Sequence, residues 1–204
     1  MGSGIKLVGG NMDNIRIIGQ LDTTACVVDL WKITRGNLWG LEVDCEEMTD
    51  SNMPHKTLIL RCQKNWTREN WFDDLPMFDR PVLEKYDSFN ALVAQAREKI
   101  AGDPIISKLI NFSAPLGRMV ISILKANSAM NWHIDRGPYA QEHLRFHIPL
   151  ITNGSAMLYC GHQQGHIPTG VLTWLNVRQY HSAGNWGDFP RAHLIFEVRR
   201  NAGS

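Results

Sequence analysis

From Arg118 to Arg200 the chain reads RMVISILKA, LRFHIPLIT, SAMLYCG, GVLTWLNV and RAHLIFEVRR. These five short runs are rich in branched and aromatic residues, and Gly, Asn, Pro or Ser part them. Branched and aromatic side chains suit a pleated, half-buried surface, and the separating residues are turn formers. Strands at this spacing, without helical patterns between them, pair antiparallel as a sandwich or barrel. The N-terminal half mixes element types. IRIIGQL (15–21) and TLILRC (57–62) read as strands, and a helix is expected to begin at Asp22 or Thr23, both good caps. YDSFNALVAQAREKIAG (86–102) is the clearest helix: Asp87 or Ser88 caps it, Phe89, Leu92, Val93 and Ala96 form its apolar stripe, and Gly102 closes it. Thr34 to Pro54 carries no clear pattern, and the Trp- and Asp-rich KNWTRENWFDDLPMFDRP reads as a loop that packs its aromatics.

The fold expected is mainly β (α+β): a double-stranded β-helix, meaning a cupin-like jelly roll, with helical support from the N-terminal half. Residues 1–11 read as a tag remnant or disordered tail, and 12–204 as one domain whose jelly-roll core spans about 118–200. Lys plus Arg number 21 against 20 Asp plus Glu. That balance leaves no broad basic surface for nucleic acid or an anionic membrane. No apolar run approaches the roughly 20 residues that span a bilayer, and no secretory leader is apparent. Cys26, Cys45, Cys62 and Cys160 form no CxxC pair. A reducing, cytoplasmic setting is therefore expected, with no thiolate zinc site.

The segment NWHIDRG (131–137) puts His133 and Asp135 two residues apart, hence on one face of an extended chain. His181, beyond the apolar run VLTWLNV, supplies a third donor from another strand. Two imidazoles and one carboxylate with open positions suit non-haem Fe(II) oxygenases. Arg191 stands in an otherwise apolar strand, where a guanidinium needs an anion, and its planar fork matches a carboxylate. Arg145 and His147 share one face of another apolar strand. A barrel interior lined in this way wants a dianionic ligand. Cys160, His162 and His166 form a competing cluster, read here as a solvated turn because no fourth ligand stands at a familiar spacing. His143 and His193 are read as facing away from the site and His55 as standing alone. Trp174 is read as sheet core; Trp132 and Trp186 could line a pocket or lie at the surface.

HID, RFHIPLITN, GVLTWLN, YHSAGN and RAHLIFEV, in that order and spacing, resemble the aspartyl/asparaginyl β-hydroxylase family of Fe(II)- and 2-oxoglutarate-dependent oxygenases, which includes free L-proline cis-hydroxylases. The resemblance covers roughly 118–200. It implies that His133, Asp135 and His181 hold Fe(II), and that Arg191, helped by Ser122, pairs with the distal carboxylate of 2-oxoglutarate. It also implies that Arg145 and His147 contact the metal-proximal end of that co-substrate, with O₂ as the other. The position of Asp135 is not a carboxylate in the vertebrate-type protein hydroxylases of the family. Its presence here points to a small-molecule substrate, free or modified amino acids above all, with peptidyl Asp, Asn or Pro as the alternative. A cupin-like binding protein or isomerase is the alternative outside this chemistry. Arg118, Arg136 and Arg178 are candidates to hold a substrate carboxylate.

Overall fold

The computed structural model describes residues 14–39, 47–48, 54–67 and 76–203. The tail at 1–11, Cys45, much of the 34–54 region and the centre of the Trp-rich segment lie outside the described residues. In chain order the strands are β1 (Ile15–Gln20), β2 (Glu47–Met48), β3 (His55–Gln63), β4 (Met77–Asp79), β5 (Leu116–Leu124), β6 (Ser128–Ala129), β7 (His143–Ile151), β8 (Ala156–Cys160), β9 (Gln163–Gly165), β10 (Val171–Leu175), β11 (His181–Asn185) and β12 (Arg191–Arg199). The helices are α1 (Thr24–Ile33), α2 (Pro81–Lys85), α3 (Ser88–Gly102) and α4 (Pro138–Glu142). The strands form two sheets. The large one runs β1-β10-β7-β12-β5-β3-β2 with β4 also on β3; the small one runs β6-β11-β8-β9. All these pairings are antiparallel. This is the expected jelly roll with helical support.

The large sheet divides its side chains by alternation. Met119, Ile121 and Ile123 of β5, Leu144, Phe146 and Ile148 of β7, and Ala192, Leu194 and Phe196 of β12 all face the helices. There they pack with Leu30 and Ile33 of α1 and with Phe89, Leu92, Val93, Ala96 and Ile100 of α3, and Phe146 stacks on Phe196 at 5.3 Å between ring centroids. Trp174 belongs to the same layer. The main apolar core thus lies behind the barrel, which leaves the other face of the strands free for polar groups. A smaller apolar cluster, including Leu124, Leu158, Leu175 and Ala183, joins the two sheets.

Local departures from the sequence expectations have physical causes. The helix expected over 86–102 starts at Ser88; Pro81, which can only begin a helix, nucleates the separate turn α2. Asp87 makes no side-chain capping bond and Gly102 lies inside the last turn. At α1 the N-cap is Thr23, without a side-chain capping bond, and Asp22 just before it accepts from Thr24 N at 2.9 Å and Thr24 Oγ1 at 2.6 Å. β11 has the sequence HSAGN, which no propensity marks as a strand. Pairing on both edges, with β8 and β6, holds it extended.

Candidate active site

β11 also carries the site. His133 lies directly opposite His181: His133 N donates to His181 O at 3.1 Å and His181 N to His133 O at 2.9 Å. Met130 N donates to Ala183 O and Asp135 N to Val177 O, so the segment from Met130 to Asp135 is pinned along β11 and its lead-in. Facing residues of such a pair point the same way, and the imidazole centroids are 4.2 Å apart. Asp135, two residues on, joins them. Its Oδ1 is 3.6 Å from His133 Nε2 and 3.9 Å from His181 Nε2. One donor atom from each of the three residues lies within 4.8 Å of the others. Gly137, at φ 95°, then turns the chain into Pro138 and α4, a backbone state that glycine takes without strain.

Both imidazoles are fixed in one tautomer. His133 Nδ1 is 2.8 Å from Asn131 O and His181 Nδ1 is 3.0 Å from Gln179 O. Each Nδ1–H donates to a carbonyl, so each Nε2 turns a lone pair towards Asp135, the arrangement that orients metal-ligating histidines. Burial holds the His181 imidazole down at about 4, hence neutral and able to ligate.

The barrel-facing side of the large sheet is polar. Arg191 is buried at 2% exposure, and its Nε and Nη1 have no hydrogen-bond partner among the described residues. Burial draws its pKa down to about 10, which leaves it charged at neutral pH. Both ring nitrogens of His147 are buried and equally unpartnered there. Burial, and then the neighbouring guanidinia, lower its pKa well below the usual histidine range. Ser122 is buried on β5, opposite His193 in register. Arg145 lies between the two acids. Its Nη1 lies 2.6 Å from Asp135 Oδ2, and its Nε and Nη2 donate to Glu197 Oε1 at 3.0 and 2.7 Å. Arg118, a candidate to hold substrate, also grips Glu197, at 2.8 and 3.1 Å, and is 3% exposed.

Three expectations about histidines and cysteine are settled by position. His193 does not face away: it is two residues from Arg191, so strand alternation puts both on one face. It is 3% exposed, edge-on to His147 at 5.9 Å between centroids, with Nδ1 unpartnered among the described residues. His143 is buried too, stacked on Tyr139 at 3.9 Å. His55 does not stand alone, since the charges of His133 and Arg191 both act on it after burial lowers its pKa. The reading of Cys160, His162 and His166 as a solvated turn holds for His162 alone, since Cys160 is buried at the end of β8 and His166 follows β9 and is half-buried. His162 is exposed, His166 Nδ1 bonds Ala156 O at 3.0 Å, and burial pushes the Cys160 thiol up to about 12. Glu197 was missed by sequence reasoning. Its even offset from Arg191 in an apolar strand was the available signal.

A jelly roll that brings two imidazoles and one carboxylate together in this way is an arrangement able to hold a metal ion. Residues 85–201 match the model of the aspartyl/asparaginyl β-hydroxylase family, and the chain belongs to that family. No curated protein matches it. Solved structures share the fold. A 2OG-Fe(II) oxygenase family oxidoreductase from Burkholderia pseudomallei superposes with a TM-score of 0.53 at 11% identity, over 87% of this chain and 79% of that one. The α-ketoglutarate-dependent epimerase SnoN of nogalamycin biosynthesis gives 0.54 at 15%, over 92% and 78%. A Pseudomonas putida prolyl-4-hydroxylase gives 0.52 at 12%, over 92% of each chain. Among the described residues no helix is long and apolar enough to cross a membrane.

The buried Arg118–Glu197–Arg145 group makes acid stability testable. Burial alone would raise the Glu197 carboxyl, but the two guanidinia outweigh it and hold it at about 2, against an ordinary 4.5. A depressed carboxylate stabilises the fold above its unfolded value and loses that contribution as pH falls through its folded one. Glu197→Gln is expected to lower the unfolding free energy by about 3–5 kcal/mol at neutral pH. In urea unfolding, the gap between wild type and variant should narrow as pH falls from 4.5 towards about 2. A gap that stays constant to that pH would show that the Glu197 charge is not what holds the arginines.

Proposed function

We propose that the chain is an Fe(II)/2-oxoglutarate-dependent dioxygenase that hydroxylates an unactivated carbon of an amino-acid-type substrate, with free or modified amino acids favoured. The observation that carries this reading is Arg191: a buried guanidinium with two nitrogens unpartnered among the described residues, close enough that it and His181 both act on His147 between them. A buried charge of this kind needs an anion, and a dicarboxylate with one end on Arg191 and the other near the cluster answers both demands.

The donor set fits Fe(II). It offers two imidazoles with oriented Nε2 atoms and one carboxylate, a set that would leave positions on the ion open. Bound there, Fe(II) with 2-oxoglutarate and O₂ supplies an oxidation that yields succinate and CO₂ and places one oxygen atom on the substrate carbon. The chain's own groups bind and orient. Arg191 receives the distal carboxylate, with Ser122 on the neighbouring strand as a second donor, and His147 offers a neutral N–H towards the metal-proximal end.

Substrate is the finer part of the proposal. Arg118 is taken up by Glu197, which leaves Arg136 and Arg178 as candidates to hold a substrate carboxylate. Both are exposed. Arg136 follows Asp135, and Arg178 follows Val177, whose carbonyl receives the Asp135 N–H. A carboxylate bound by either would hold a small amino acid beside the cluster. Succinate release should therefore rise with free amino acids in a panel that also presents the same residues within peptides. Stimulation by peptides alone would replace the favoured substrate with the peptidyl one. Arg191→Gln should weaken 2-oxoglutarate binding about 10- to 100-fold, the worth of one charged hydrogen-bond pair. Fe(II) affinity should stay unchanged. Calorimetry on both ligands checks this, and an unaltered 2-oxoglutarate affinity would remove Arg191 from the co-substrate site.

A further inference from the structure

A row of four side chains crosses four neighbouring strands on the face of the large sheet turned away from the helices. Ile195 of β12 stands directly opposite His147 of β7 on one side and Val120 of β5 on the other, and Val120 stands opposite Ile59 of β3. Directly opposed residues of paired strands point to the same face, so His147, Ile195, Val120 and Ile59 form one line. The His147 end lies by the candidate metal centre, since the charge of His181 acts on that imidazole. The other three members are apolar. Ile59 and Val120 form with Cys62 a cluster separate from the helix-side core, and Ile195 and Trp66, the latter just past the end of β3, pack against it. The rows on either side are polar: Arg145 opposite Glu197 on one, and His193, Ser122 and Thr57 in register on the other. Between them the apolar row is not sealed. β12 is paired along both edges, and Leu194 and Phe196, which face the helices, are 0% exposed, yet Ile195 between them is only half-buried. An aliphatic side chain left partly open on a central strand has room in front of it.

We infer that Ile195, Val120 and Ile59, with Trp66 packed against them, form the subsite for a hydrocarbon side chain of the substrate. The inference rests on the reading of the chain as a dioxygenase acting on an amino-acid-type substrate, and it narrows that substrate to one whose side chain is aliphatic rather than acidic or amide-bearing. Hydrocarbon laid on the row gains about 25 cal/mol for each Å² taken out of water. A carboxylate or amide laid there would give up water and find no hydrogen-bonding partner on Ile195, Val120 or Ile59. The row also has a direction. A side chain lying along it runs towards the cluster at the His147 end, where an unactivated C–H bond has to be presented. Ile59 and Trp66 come from the N-terminal half of the chain, so that half takes part in choosing the substrate as well as in supporting the barrel.

The test is methyl NMR on protein loaded with 2-oxoglutarate and Zn(II), which does no redox chemistry, with ¹³C in the isoleucine and valine methyls. Free valine, leucine and norvaline are titrated in, with aspartate and asparagine in parallel. The aliphatic amino acids should shift the Ile195, Val120 and Ile59 methyls saturably, and bind at least about 10-fold more tightly than aspartate or asparagine. Ile195→Phe, which fills the space in front of the row, should weaken aliphatic binding about 10-fold or more, and weaken 2-oxoglutarate binding, followed by calorimetry, much less. Thermal melting establishes that the variant is folded, and Ile195→Met replaces it if it is not. Three results would overturn the inference and leave the co-substrate reading standing: no methyl shift with any aliphatic amino acid, equal or tighter binding of aspartate or asparagine, or unaltered aliphatic affinity in the Ile195 variant. Protein that takes up neither Zn(II) nor 2-oxoglutarate would overturn the oxygenase reading itself, and the inference with it.

Discussion

A strand in the middle of the large sheet has two faces in two different media, and β5, β7 and β12 keep them apart residue by residue. On one side, leucine, isoleucine and phenylalanine pack against α1 and α3. On the other stand Arg118, Ser122, Arg145, His147, Arg191, His193 and Glu197, nearly all buried. The period of two makes this separation rigid, because a slip of one residue would drive every charge into the helix layer and every leucine into the cavity. The site's precision follows from that constraint. The apolar face supplies the burial that holds the strands in register, and register decides which polar groups meet.

What meets is a small electrostatic system. Three buried guanidinia, Arg118, Arg145 and Arg191, face two buried carboxylates, Asp135 and Glu197, while burial keeps His147, His181 and His193 neutral. Four of the five charges pair among themselves, and the positive charge left over is on Arg191. Adding a divalent ion at the cluster makes the interior more positive still, and a dicarboxylate restores the balance. The metal-ligating cluster and the unpaired arginine thus call for the same kind of ligand. Of the three inward-facing arginines, Arg118 and Arg145 lie on protein carboxylates and Arg191 does not, a consequence of which strand neighbours carry acids.

Much of this was legible in the sequence where a rule of alternation or charge burial applied directly. His133 with Asp135, the inward Arg145 with His147, and the lone Arg191 could all be read from spacing within an apolar run. The partner of Arg145 could not, because Glu197 becomes its neighbour only through the β7–β12 register, a long-range fact. His193 was misassigned although the rule was sufficient: residues 191 and 193 share a face. β11 was invisible for a different reason, since HSAGN has no intrinsic strand preference and is extended only by its two neighbours. Of the N-terminal elements, β1, β3, α1 and α3 were read correctly as types, with α3 starting later because Pro81 opens a separate turn, whereas the segment read as a loop carries β4, extended by its pairing with β3.

The central claim is that the His133, Asp135, His181 cluster and Arg191 serve one bound pair, Fe(II) and 2-oxoglutarate. The most direct measurement is an anaerobic titration of Fe(II)-loaded protein with 2-oxoglutarate, following the visible metal-to-ligand charge-transfer band. The account predicts a saturable band in wild type and none in His133→Ala. Iron bound at the cluster with no band at any 2-oxoglutarate concentration would contradict it, and would leave a cupin-like binding protein or isomerase as the better description of the same barrel.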